Sequence, residues 1–184
     1  MGSWSRAEAY AKDILDVLNH WTSGWVDWNL ALNEEGGPNW SKSYVDAPII
    51  VNASKQEYYR QPMWYVLSHF SKFLPPGSVR LEHKQQVYNA TGKEPENLHT
   101  VCFRTPDGRN VLIALNQDQK EMSLQISAGN QGSFNVLLNG KSVCTYVWKE
   151  KKIRHSLITI NALPPPDPAM EYFDYRAFLG IGGL

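Results

Sequence analysis

Apolar residues at the start of the chain recur at three- and four-residue steps. Trp4, Ala7, Ala11, Ile14, Leu18 and Trp21 would therefore share one face of a helix. Ser5-Arg6-Ala7-Glu8 has the form of a capping box, in which the Ser side chain satisfies one orphan amide and the Glu reaches back to another. After Ser23-Gly24 the pattern shortens. Trp25-Val26-Asp27-Trp28-Asn29-Leu30-Ala31-Leu32 is an apolar and aromatic run of strand length, closed by the loop Asn33-Glu34-Glu35-Gly36-Gly37-Pro38. Ala47-Pro48-Ile49-Ile50-Val51 predicts another strand, confined by Pro48 to an edge or a strand end. A second helix opens at Pro62, where a missing N–H costs little. It carries Met63, Val66, Leu67, Phe70 and Leu74 on one face until Pro75-Pro76-Gly77 stops it. Helix, buried strand and long Gly/Pro loop are the cadence of an α/β unit.

Beyond Gly77 the period changes from helical to alternating. Strand-like runs fall near 79–88, 98–104, 110–116, 121–127, 133–138 and 142–148. Pro106-Asp107-Gly108 and Asn139-Gly140 both read as hairpin connectors. Short strands at such spacing indicate a β-sandwich. From Lys149 a basic cluster leads to Pro164-Pro165-Pro166, an aromatic stretch and Gly180-Ile181-Gly182-Gly183, with only a short strand suggested at 156–160.

Composition narrows the function classes. Lys plus Arg and Asp plus Glu both number 18, so no net basic charge points to nucleic acid. No apolar run approaches the roughly 18–20 residues of a membrane span, and Met1-Gly2-Ser3-Trp4-Ser5 does not lead into a signal peptide's apolar core. Seven Trp and nine Tyr suit a carbohydrate site, where sugar C–H faces pack on rings, but they suit ordinary core packing at least as well. Cys102 and Cys144 are too few for a disulfide scaffold and fit two small buried thiols, although a bridge between facing strands stays open. Asn39, Asn52 and Asn89 each begin an Asn-x-Ser/Thr glycosylation sequon that would suit a secreted or lysosomal protein, although about one or two would arise by chance in a chain with this much Asn.

The chain has no Gly-rich phosphate loop and no metal-ligand spacing, and its five His are scattered. His20 and His69 fall within predicted helices, where packing or solvation is the ordinary role. The densest chemical constellation is Trp25, Asp27, Trp28, Asn33, Glu34, Glu35 and Trp40, at the C-terminal end of a predicted strand, where α/β barrels assemble sites. Asp27 and Glu35 would suit an acid/base pair by type, since glycosidases pair carboxylates about 5–9.5 Å apart. Against that, carboxylates close in sequence tend to lie on one side of a substrate, and a loop Glu is more often simply solvated.

The stretch from Gly24 through Trp25-Val26-Asp27-Trp28-Asn29-Leu30-Ala31-Leu32-Asn33-Glu34-Glu35-Gly36-Gly37-Pro38-Asn39 to Trp40 resembles the segment that ends the catalytic barrel in glucosylceramidases, the acid β-glucosidases of glycoside hydrolase family 30. The likeness continues through Tyr44-Val45-Asp46-Ala47-Pro48-Ile49-Ile50-Val51, Tyr59-Arg60-Gln61-Pro62-Met63 and His69-Phe70-Ser71-Lys72-Phe73-Leu74-Pro75. It thins to Pro106-Asp107-Gly108, Leu115-Asn116 and Thr145-Tyr146-Val147-Trp148, and covers roughly residues 1–149.

That resemblance implies the C-terminal end of a (β/α)8 TIM barrel followed by an immunoglobulin-like β-sandwich. Residues 1–30 would be the last helix and strand units of the barrel, with the helix at 4–21 and the eighth strand at 24–30. Residues 31–61 would form a loop and part of a small antiparallel sheet, 62–77 the final barrel helix, and 78–149 most of the sandwich, which in the family is completed by strands from near the N-terminus. Residues 150–184 would be a tail foreign to the family. The resemblance places both catalytic Glu residues on strands before residue 1, and the nucleophile segment Ser-Glu-Ala-Cys does not occur. No catalytic residue is therefore expected in this chain, and no cofactor or metal. Trp28 would line the glucose subsite with Asp27 supporting it, and Trp40 and Ser43 would lie on the entrance loop, Ser43 where the family often has Asn. The whole protein would hydrolyse glucosylceramide in sphingolipid metabolism by a retaining mechanism, in the lysosome or outside the cell. Its partners would be a saposin-type activator and an anionic lipid surface. The alternative reading is a non-catalytic β-sandwich module that binds carbohydrate or lipid.

Overall fold

The structure is a computed structural model that describes residues 2–87, 96–128, 132–149 and 158–163. Helix α1, Trp4–Asn19, buries Ala7, Ala11, Ile14 and Leu15, close to the face its periodicity marks; Trp21 lies past its end, exposed, at φ +66°. The expected capping box does not form. The N-cap is Ser3, and Glu8 accepts instead from the indole of Trp4 at 3.0 Å and pairs with Lys141 at 3.2 Å. The helix starts at Trp4, so Ser5 lies inside its first turn and is not the N-cap that the box requires.

A three-stranded sheet follows, in the order β1-β2-β3, formed by β1 (Ala31–Asn33), β2 (Ile49–Asn52) and β3 (Glu57–Arg60). β1 runs parallel to β2, and β2 antiparallel to β3. The barrel strand expected at 24–30 is absent: strand structure begins only at Ala31. A parallel barrel strand needs a hydrogen-bonded neighbour on each side, whereas the described strands offer this run one backbone bond, from the Ile49 amide of β2 to the Leu30 carbonyl at 3.0 Å. β3 was not foreseen, because Glu57-Tyr58-Tyr59-Arg60 is polar and largely exposed.

Helix α2, Pro62–Ser71, begins on Pro62 as expected and buries Met63, Val66 and Phe70. Its N-cap, Gln61, is buried, and its carboxamide joins three segments: it accepts from the Gly2 amide at 3.1 Å, donates to the Ala47 carbonyl at 2.7 Å and donates to Asp46, which also pairs with Arg6.

The remaining strands form two four-stranded sheets. They are β4 (Val79–Leu81), β5 (His83–Val87), β6 (Leu98–Arg104), β7 (Arg109–Asn116), β8 (Met122–Ala128), β9 (Ser133–Leu138), β10 (Ser142–Lys149) and β11 (Ile158–Leu163). One sheet has the order β10-β7-β6-β4 and the other β5-β11-β8-β9. The single run expected at 79–88 is thus two strands in different sheets, broken at Glu82. The strand suggested at 156–160 is β11, displaced by a few residues and inserted between β5 and β8, although it lies in the tail expected to be unassigned.

Central strands β6 and β7 are buried on both sides, which is why their alternation is weak in sequence. Val101, Phe103, Val111, Ile113 and Leu115 face α1 and α2, whereas Leu98, Cys102, Leu112 and Ala114 face Leu124, Ile126, Ile158 and Ile160 of the other sheet. The helices are pinned to the sandwich by His69 to Thr145 at 2.8 Å and Asn19 to the Thr100 carbonyl at 2.9 Å.

Pro106-Asp107-Gly108 does close the β6–β7 hairpin: the Gly108 amide bonds the Thr105 carbonyl at 2.9 Å, with Gly108 at φ +81°. Asn139-Gly140 does not close one. It links β9 to β10 across the two sheets, and a Cβ at Gly140 would lie 2.0 Å from the Gln119 carbonyl oxygen, so Gly is needed there for close approach. Cys102 and Cys144 lie on strands separated by β7, and no disulfide joins them.

Candidate functional site

Residues 25–30 alternate between half-buried and exposed although they belong to no sheet. Trp25 and Asp27 turn toward α1. The Trp25 indole donates to Asp13 at 2.7 Å and meets the Tyr10 ring edge-on at 5.4 Å. The Tyr10 hydroxyl reaches both Asp27 carboxylate oxygens, at 3.1 and 3.2 Å, and Asp27 also accepts from the Trp28 amide at 2.8 Å. Burial, reinforced by the Asp27 charge, pushes the Tyr10 phenol up to about 12, so it stays a donor at neutral pH. The other side of the segment is open: Val26 is 91%, Trp28 82% and Leu30 59% exposed.

The loop that follows is built on two asparagines. The Asn33 side-chain oxygen accepts the amides of Glu35 at 3.1 Å and Gly37 at 2.6 Å, while the Asn33 backbone N–H donates to the Gly37 carbonyl at 2.7 Å. Asn39 donates to the Ser43 carbonyl at 2.7 Å and to the Gly36 carbonyl at 3.3 Å, and accepts the Ser43 amide at 3.1 Å. Gly36, at φ +83°, lets the Tyr44–Val45 backbone pass: a Cβ there would sit 2.7 Å from the Val45 carbonyl oxygen. This loop holds Trp40, 96% exposed, and Ser43 on the surface.

The structure therefore brings Asp27 and Trp28 together and ties Trp40 and Ser43 into one loop through Asn39. Among the described hydrogen bonds none links Asp27 with Glu35. Asp27 is engaged by Tyr10 and Trp28, and Glu35 lies in the Asn33 turn. Tyr10 is the positioning residue that sequence reasoning missed, since it falls in no motif and its partner lies on another segment; Asn33 stood in the constellation, but its turn-forming role was not read from the sequence. Of the glycosylation candidates, Asn52 is only 5% exposed, with its side-chain oxygen holding Ser54 and Lys55, so a glycan has no exit there. Asn39 is half-buried within its loop, and Asn89 lies outside the described residues.

A separate cleft of about 690 Å³ opens beside the C-terminal end of α1, lined by Asp16, Asn19, Arg80, His83, His99 and Thr100 among others. Its one carboxylate, Asp16, is paired with Lys12, so it offers no carboxylate pair for glycoside cleavage. Among the described residues no group of His, Cys, Asp and Glu is placed to hold a metal ion, and no helix is long and apolar enough to cross a membrane.

A helical and small-sheet unit packed on a two-sheet sandwich, with an exposed Trp at the end of an extended segment, matches known architecture. Residues 1–74 match the glycosyl hydrolase family 30 TIM-barrel domain, and residues 77–146 match that family's β-sandwich domain. The chain belongs to glycosyl hydrolase family 30. It is 42% identical over 151 residues to the lysosomal acid glucosylceramidase of Mus musculus, covering 82% of this chain and 28% of that protein. It is 44% identical over 154 residues to putative glucosylceramidase 3 of Caenorhabditis elegans, covering 83% and 28%. Among solved structures, SrfJ from Salmonella typhimurium superposes with a TM-score of 0.71 at 28% identity, covering 82% of this chain and 32% of that one. The chain spans little more than a quarter of the length of these curated relatives.

Proposed function

We propose that this chain forms the glucose-facing wall and accessory sandwich of a glucosylceramidase whose two catalytic carboxylates lie in polypeptide outside residues 1–184. The observation that carries this reading is the segment 25–30, in which Asp27 is locked to α1 through Tyr10 while Trp28 is presented on the open side. An exposed indole fixed by its neighbour's carboxylate suits the C–H face of a glucose ring, and the apolar stripe Val26, Trp28 and Leu30 suits burial against further barrel strands. The 42% identity to a lysosomal acid glucosylceramidase supports glucosylceramide as substrate and the lysosome as the working compartment.

In the complete enzyme one carboxylate would attack the anomeric carbon as the other protonates the departing ceramide oxygen. Water, deprotonated by that second group, would then release glucose from the covalent intermediate with retained configuration. Asp27 holds the wall in place, and Trp28 orients the sugar. A saposin-type activator and an anionic lipid surface would present the glycolipid.

The test is a chimera in which residues 1–149 replace the corresponding segment of the mouse enzyme. Hydrolysis of glucosylceramide by the chimera, reduced about tenfold or more by Trp28→Ala, is expected. A folded chimera that binds glucosylceramide without cleaving it would contradict the reading and favour a non-catalytic module.

A further inference from the structure

The cleft beside the C-terminal end of α1 takes no part in the glucose-facing wall, and its chemistry is of a different kind. It opens where the chain leaves β4 of one sheet for β5 of the other, so its walls come from α1, β4, β5 and β6. Its volume of about 690 Å³ lies in the range of small-molecule sites.

Charge decides what such a cleft would take. Arg80 of β4 and Lys84 of β5 line it, and neither makes a hydrogen bond or ion pair among the described residues. The one carboxylate in its walls, Asp16, is held by Lys12, and Glu82, between β4 and β5, is exposed and lines no part of it. Burial, with the Arg80 charge beside it, lowers the His83 imidazole, so that ring is uncharged at neutral pH. The C-terminal carbonyls of α1 contribute about half a negative charge, against two full positive ones. The balance favours an anion.

The cationic wall is also built in. The Arg80 guanidinium lies over the Trp21 ring, 4.0 Å from its centroid, and its Nε is enclosed without an acceptor. Stacking occupies the faces of a guanidinium and leaves its N–H edge for an oxyanion. Trp21 holds this place at φ +66°, a conformation uncommon for a bulky residue. On β6, Thr100 Oγ1 meets His83 Nε2 at 2.9 Å and Gln85 Nε2 at 2.5 Å, which fixes the β5 wall. Asn19 spends its amide on the Thr100 carbonyl, and His99 Nε2 meets Gln117 at 2.9 Å. Each keeps one polar side-chain atom that has no partner among the described residues and can meet hydroxyl groups.

We propose that this cleft binds the phosphate monoester of a small polyhydroxylated molecule, a sugar phosphate in class, with Arg80 and Lys84 on the phosphate and Asn19 and His99 on the hydroxyls. Binding is read on this chain alone, so the inference stands or falls independently of the proposed glucosidase. A phosphorylated lipid headgroup presents the same phosphate chemistry, and the test separates the two sources.

The experiment titrates the full chain with glucose 6-phosphate by calorimetry at neutral pH. Glucose, and vesicles of phosphatidylcholine with and without phosphatidic acid, are the comparisons. Glucose 6-phosphate is expected to bind saturably, about tenfold or more tighter than glucose, and to weaken as ionic strength rises. Arg80→Gln and Lys84→Gln should each weaken it about fivefold or more, whereas Asp16→Asn, which removes the carboxylate from the cleft, should tighten it about twofold or more. Lys84 is exposed, so its replacement tests the charge without disturbing the core. Absence of binding, equal affinity for glucose, no loss in Lys84→Gln, or binding confined to the phosphatidic acid vesicles would overturn the proposal.

Discussion

The Tyr10 hydroxyl lies within 3.2 Å of both carboxylate oxygens of Asp27 and, with the Trp25 indole on Asp13, fastens the extended segment to the first helix. Those contacts do the work that ladder hydrogen bonds would do in a strand. Tyr10→Phe keeps the ring packing on Trp25 and removes only the donor, so a loss of about 1 kcal/mol is expected in urea denaturation, with faster hydrogen exchange at 25–30. The Tyr10 phenol is raised to about 12, from an ordinary 10, so its contribution is complete below pH 10 and fades as pH rises through 12. Wild type and Tyr10→Phe should therefore converge in stability at the alkaline end.

Trp28→Ala is expected to leave the denaturation midpoint nearly unchanged, within about 0.5 kcal/mol, because the side chain is 82% exposed. Its effect should appear only in sugar handling by the complete enzyme. A large stability loss would mean that the ring packs in the fold and is not presented.

Acid is expected to weaken the chain. Burial lowers the His69 and His83 imidazoles below their ordinary value, so between pH 6.5 and the folded values the unfolded state binds more protons. Stability is full above pH 6.5 and falls as pH drops. His69→Gln, which can still reach Thr145, should flatten the pH dependence of the urea midpoint between pH 7.5 and 5.

Asn116 is fully buried where two crossovers between the sheets meet. Its side chain donates to the Lys120 and Asn139 carbonyls at 2.9 and 3.0 Å and accepts the Asp118 amide at 2.9 Å. Asn116→Ala leaves these backbone groups without their partner, and a loss of about 2–3 kcal/mol is expected by the same denaturation measurement.

The sequence made the local elements legible where local chemistry decides them. Pro62 opened α2, Gly108 closed the β6–β7 hairpin, and the runs near 98–104 and 133–138 became β6 and β9. It was silent where pairing is long-range. Nothing in 79–88 marks Glu82 as the place where the chain changes sheets, and Asn139-Gly140 has the form of a hairpin turn although a close approach to Gln119 is what requires its Gly. Trp25–Leu32 has strand composition, but a strand also needs neighbours, and only Ala31 and Leu32 of this run find a partner strand, β2. Of the candidate site, the family resemblance could nominate Trp28 and Asp27 by position, whereas Tyr10 had no such signal, since its contact exists only once α1 and residue 27 meet.

The most direct measurement is turnover of a fluorogenic β-glucoside by the purified chain across pH 4.5–7.5. No hydrolysis above the buffer rate is expected, because the Asp27 carboxylate is taken up by the Tyr10 hydroxyl and the Trp28 amide, and the proposed catalytic carboxylates lie outside residues 1–184. Turnover that disappears in Asp27→Asn or Glu35→Gln would contradict the account.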